Sequence, residues 1–86
     1  MTELIATIRE LMKKVGVLAE VVDALDPDKL LASQGVDSID YPLTVIAVQH
    51  HFGVELPETE LFDIKTLRDF AERVDRKLRV AAKEGD

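Results

Sequence analysis

The sequence predicts an all-α domain: a small four-helix bundle of three longer helices and one short one, with a long connection between the first two. Two observations carry that reading. Apolar residues recur at helical spacing over 3–15, 39–52 and 67–81, and Gly16, Gly35 and the Gly53 to Pro57 stretch punctuate the chain between these stripes. Eighty-six residues with 47% apolar content make one small domain with a single core, too small for a large buried catalytic cleft.

Leu4, Ile5, Ile8, Leu11, Met12 and Val15 form the first stripe, with Thr2 as its expected cap and Gly16 as its stop. The polar face (Glu3, Thr7, Arg9, Glu10, Lys13, Lys14) lacks the strong positive charge of a membrane-surface helix, so the stripe is assigned to the core. Val17 to Gln34 is a long acidic connection. Val17, Leu18, Val21, Val22 and Leu25 allow a turn or two of helix before Asp26-Pro27. Asp28 to Ala32 allow a short turn that drops Leu30 and Leu31 onto the core.

Ile39 to Phe52 is the second long helix. At 100° per residue, Tyr41, Val45, Val48 and Phe52 share one face, while Ile39, Leu43, Ile46 and Ala47 fall on another. A small bundle cannot cover both, so the second set is expected to be displayed as an apolar contact patch. Gly53-Val54-Glu55-Leu56-Pro57 breaks the helix with an extended piece, and Glu58 to Phe62 make a short helix with Leu61 and Phe62 turned inward. Thr66 then caps the last helix, with Asp69 in a capping-box relation, and Leu67, Phe70, Ala71, Val74, Leu78 and Ala81 form its apolar stripe. Asp69–Arg73, Glu72–Arg76 and Asp75–Arg79 stand at i, i+4 on its outer face, which makes Arg76-Lys77-x-Arg79 a solvated cluster. Residues 1–82 are expected to form the single domain and 83–86 to fray.

Charge and composition narrow the function. The net charge is −6, and residues 15–64 hold ten acids against one base, Lys29. Such a chain repels nucleic acid and suits a partner with a basic surface. It has no cysteine, which removes disulfides, thiolate metal sites and a cysteine nucleophile together. It shows no signal-peptide pattern and no run of membrane-spanning length, so the expected location is cytoplasmic.

Gly35-Val36-Asp37-Ser38-Ile39-Asp40 delivers an acid and a serine to the start of the second long helix. A short side-chain oxygen there can accept an orphan backbone N–H, and a phosphate on Ser38 would meet free N–H groups and the helix dipole. These six residues alone fit a plain cap as well as a modification site. They resemble the attachment site of acyl carrier proteins, where Gly-x-Asp-Ser-Leu/Ile opens the second helix. Phe52-Gly53-Val54-Glu55-Leu56-Pro57 is similar to the family's segment closing that helix, and the order of elements covers nearly the whole chain.

The resemblance implies a non-catalytic, stand-alone carrier whose Ser38 holds 4′-phosphopantetheine through a phosphodiester. Acyl intermediates would ride on it as thioesters, sheltered between helices. It implies a phosphopantetheinyl transferase and acyl-loading and acyl-processing enzymes as partners of a monomer. Asp37 would orient the site and meet basic groups on the transferase, and Ile39 and Asp40 would flank the arm. Leu43, Ile46 and Glu55 complete the expected recognition surface. A peptidyl or aryl carrier, or an unmodified adaptor on the same fold, is the alternative.

Two departures from the family pattern stand out. The second helix has Asp40 but no row of acids along it, which favours a specialised fatty-acid, polyketide or related lipid pathway over housekeeping synthesis, and apolar recognition through Leu43 and Ile46. Pro42 lacks the N–H that the Ser38 carbonyl would receive, so the regular helix is expected to begin near Asp40 or Tyr41, after a looser or 3₁₀-like turn. Other chemistry fails on geometry. Along a helix, Ser38 and His50 lie about 18 Å apart, too far for a triad. His50 and His51 point about 100° apart, with no third metal ligand spaced to help. Ser33 has neither a neighbouring acid nor an apolar helix starting at it and reads as a loop residue.

Overall fold

The computed structural model describes residues 1–84. Its helices are α1 (Thr2–Lys14), α2 (Ala19–Ala24), α3 (Asp40–Phe52), α4 (Glu58–Leu61) and α5 (Leu67–Glu84), with a 3₁₀ turn at Leu31–Ser33. The three long helices fall where the apolar stripes place them, and the connection adds α2 before its 3₁₀ turn. Helix α5 extends two residues into the stretch expected to fray; Gly85 and Asp86 lie outside the described residues.

Helix α1 packs against α2, α3 and α5 and buries Ile8, Leu11 and Met12. Thr2 does not cap it: Met1 holds the cap position without a side-chain bond, and Thr2 is already helical. Its other end closes as a Schellman turn. Gly16, at φ +109°, donates to the Lys13 carbonyl at 3.2 Å, and Val17 donates to the Met12 carbonyl at 3.0 Å. That turn sends Val17 into the core. The Arg9 guanidinium reaches from α1 to the carbonyls of Val22 and Leu25, the latter at 3.0 Å, and so ties α1 to the end of the short α2.

Leu31 is buried, but Leu30 is about half exposed, contrary to the expectation that both drop onto the core. Leu30 forms an isolated antiparallel bridge with Thr66, and the Leu31 N–H donates to the Lys65 carbonyl at 2.9 Å. Leu30 is extended and Leu31 opens the 3₁₀ turn, so the two side chains diverge and only one turns inward. Arg68, paired with Asp28 and donating its N–H to the Pro27 carbonyl at 2.9 Å, ties the same loop to the start of α5.

Thr66 and Asp69 form the expected capping box: Asp69 N–H donates to Thr66 Oγ1 at 3.0 Å, and Thr66 N–H to Asp69 Oδ2 at 3.1 Å. Leu67, Phe70, Ala71 and Val74 are then buried. Of the three outer-face pairs, Asp75–Arg79 closes at 2.9 Å. Arg73 turns instead to Glu60 at 2.7 Å, where Lys77 also binds at 2.9 Å. Phe62 is a second correction. Helix α4 is one turn long and buries none of its residues, and Ile64 takes the inward place while Phe62 stands 79% exposed.

Candidate functional site

Gly35 has φ +94°, a left-handed conformation that side chains disfavour, and a Cβ there would lie 3.5 Å from a Val21 methyl. It turns the chain so that Val36 is buried and Asp37, Ser38 and Ile39 are exposed at the head of α3.

Asp37 provides the cap. Its Oδ1 accepts the N–H of Ile39 at 2.8 Å and of Asp40 at 3.0 Å, and its carbonyl accepts the Tyr41 N–H at 3.2 Å. Those are the contacts of an N-cap residue, with Ser38 one position inside. The Asp40 and Ile39 N–H groups hold the Asp37 carboxyl below the usual aspartate range. Here the sequence expectation needs correcting: the N–H groups of Ile39, Asp40 and Tyr41 are already engaged and are not free to hold a phosphate. Ser38 is left exposed, and among the described residues nothing holds its hydroxyl.

The regular part of α3 begins at Asp40, because Pro42 interrupts the α-type turn that Asp37 opens. The preceding turn is not of the 3₁₀ kind, because Tyr41 bonds back four residues to Asp37. The next position is Pro42, which has no N–H to offer the Ser38 carbonyl.

Beside Ser38 lies a cleft of about 570 Å³, lined chiefly by apolar side chains, among them Leu30, Leu31, Val36, Leu61, Phe62 and Ile64, with Tyr41 also contributing. The Tyr41 hydroxyl donates to the Ile64 carbonyl at 3.0 Å, with the Leu61 carbonyl at 3.4 Å, and its ring meets Phe70 edge-on at 6.2 Å. Burial, reinforced by the charge of Asp69, pushes the Tyr41 hydroxyl up to about 12, so it remains a donor at ordinary pH. Sequence reading missed Phe62 and Leu30 as cleft residues. No local signal separated them from Leu61 and Leu31, since adjacent apolar residues such as Leu11 and Met12 are both buried elsewhere in the chain.

The other candidates are dispersed. Ile39, Leu43 and Ile46, at 73%, 42% and 51% exposure, make an apolar strip along α3. Asp40 lends its carbonyl to Thr44 Oγ1 at 2.9 Å, which lets that threonine be buried. Glu55 lies past the far end of α3, on a second cleft with Glu60, Arg73 and Lys77. No described helix is long and apolar enough to cross a membrane.

A helical domain that presents an exposed serine at a capped helix head, beside an apolar cleft, is built like a carrier of a covalently attached arm. A family described as "Phosphopantetheine attachment site" matches residues 3–74, and the chain belongs to it, as an acyl carrier protein with covalently attached 4′-phosphopantetheine. It is 36% identical to the anthracycline acyl carrier protein DpsG of Streptomyces peucetius, over 91% of this chain and 94% of the relative. Identity is also 36% with the anthracycline acyl carrier protein DauA of Streptomyces sp. (strain C5), covering 90% and 93% of the two chains. An acyl carrier protein of Thermosynechococcus vestitus is 27% identical, over 80% and 93%. No solved structure gives a significant match.

Proposed function

We propose that Ser38 is the attachment residue and that the chain carries polyketide-type acyl intermediates in a specialised pathway. The observation that carries this reading is the exposed, unengaged Ser38 hydroxyl one residue inside the Asp37 cap and against the apolar cleft. A primary hydroxyl so placed is open to phosphodiester formation, and the residues present fit the arm. When attached, the arm supplies a terminal thiol that holds acyl groups as thioesters, a function the cysteine-free chain cannot supply itself. Asp37 fixes the turn, the cleft shelters apolar cargo, and the chain itself catalyses no step.

The polyketide assignment is supported by the two relatives named as anthracycline carriers. Helix α3 agrees with a dedicated partner set, since its outer strip is Ile39, Leu43 and Ile46 where a row of acids would serve electrostatic docking. The transferase and acyl-processing partners are therefore expected to present apolar ground flanked by basic groups that answer the surrounding acids.

Incubation with coenzyme A and a phosphopantetheinyl transferase, followed by intact mass measurement, tests the site. The wild-type chain and Ser33→Ala should each gain one phosphopantetheinyl group, and Ser38→Ala none. Ser33 is a fair control because its Oγ closes a local turn on the Leu30 carbonyl at 2.8 Å. A wild-type chain that several competent transferases leave unmodified would overturn the reading. The acyl mass on protein recovered from cells identifies the cargo.

A further inference from the structure

We propose that Tyr41 is a positioning residue: its hydroxyl latches the α4 wall of the cleft and thereby governs how well a chain carried on Ser38 is sheltered. The inference rests on Ser38 as the attachment site and adds a residue which attachment itself does not require.

The α4 wall is anchored in the core through Ile64, with Leu61 half-covered beside it, while the helix itself is thinly buried. Helix α4 has no buried residue, yet its end and the turn that follows supply Leu61, Phe62 and Ile64 to the cleft. Two polar anchors add to the burial of Ile64. On one side, Glu60 accepts from Arg73 at 2.7 Å and from Lys77 at 2.9 Å. On the other, the Tyr41 hydroxyl donates to Ile64 at 3.0 Å, with Leu61 at 3.4 Å. These carbonyls close the short helix and lead into α5, so the bond fixes the point about which α4 would swing. Tyr41 also lines the cleft and sits three residues past Ser38, so one side chain connects the attachment point, the cleft and its wall. Its ring is held separately, against Phe70. Tyr41→Phe therefore removes the latch and keeps the packing. A bound acyl chain gains most from a cleft that is already formed, because ordering the wall on binding would be charged against its affinity.

The test has two parts. In the unmodified protein, Tyr41→Phe should speed amide exchange at Asp63 and Ile64 about five-fold, the loss of one hydrogen bond, with exchange in α1 and α5 unchanged. In protein loaded from butyryl- or decanoyl-coenzyme A, hydroxylamine should cleave the decanoyl thioester about five-fold faster in Tyr41→Phe than in wild type, and the butyryl thioester at nearly the same rate. Unchanged exchange at 63–64, a rise spread evenly over α1 and α5, or equal cleavage of decanoyl thioesters in both proteins would each overturn the proposal. Failure of Ser38 to load, read by intact mass, is a separate result: it overturns the attachment site, and the sheltering role with it, while exchange alone decides the latch.

Discussion

Asp37 Oδ1 lies 3.0 Å from the Asp40 N–H, and this contact, with its companion to Ile39, leaves Ser38 free of the capping task. The residue that builds the turn and the residue left exposed with its hydroxyl unengaged are different ones. A serine acting as its own cap would have its oxygen committed to the backbone.

The Asp37 cap should show in acid. Hydrogen bonds from Asp40 and Ile39 hold its folded pKa below the ordinary value of 3.8. A group with a depressed folded pKa contributes stability that is present above its unfolded pKa and is lost as pH falls through the folded one. Asparagine caps nearly as well and does not titrate. Thermal melts of wild type and Asp37→Asn should therefore nearly coincide at neutral pH, and below pH 3.8 the wild type should lose stability faster. Parallel curves across the acid range would refute this account.

Glu60 should matter more than the exposed pairs. Lys77 and then Arg73 hold its carboxyl below the usual glutamate range, and all three side chains are about three-quarters buried. Glu60→Gln should lower the urea midpoint more than Asp75→Asn does, since the latter breaks an open pair with Arg79 and should cost no more than about 1 kcal/mol. The Glu60 contribution has the same sign with pH as that of Asp37, being lost as pH falls. Equal midpoints for the two variants would remove Glu60 as an anchor of α4.

Leu43 is 42% exposed and is not a core residue, so Leu43→Ala should leave the melting temperature nearly unchanged. If α3 is the recognition helix, the same change should weaken a cognate partner by about 1–2 kcal/mol, less than full burial of a leucine because part of it is already covered. His50→Ala, exposed on the same helix, is the control. Gln49 is unsuitable, since its Oε1 accepts the Leu56 N–H at 2.8 Å. Titration calorimetry at two salt concentrations decides the matter: steep loss of affinity with salt and indifference to Leu43 would point to charge recognition instead.

Phe62 offers a split readout. At 79% exposure its truncation to alanine should change stability by no more than about 0.5 kcal/mol. Because it lines the cleft, the same change should expose a loaded decanoyl thioester to hydroxylamine several-fold faster. A stability loss without a change in thioester cleavage would mark Phe62 as structural.

The sequence by itself determined what depends on near neighbours. Apolar residues three and four apart determined the three long helices, Gly16 the end of α1, the Thr66–Asp69 spacing the start of α5, and Pro42 the first residue of α3. Asp37-Ser38 at a helix head was legible for the same reason, since capping operates within four residues of chain.

Tertiary structure decided the rest, wherever two local solutions were open and a distant residue chose between them. Leu30 rather than Leu31 was left outside where its backbone pairs with Thr66, and Arg73 pairs with Glu60, thirteen residues away, rather than with Asp69 on its own helix. Phe62 faces outward because Ile64 fills the inward place, and the Tyr41 hydroxyl finds a carbonyl 23 residues away. Such choices are set by competition for partners that only the folded chain brings within reach, so the acid and serine at the head of α3 could be read from the sequence, while the cleft beside them could not.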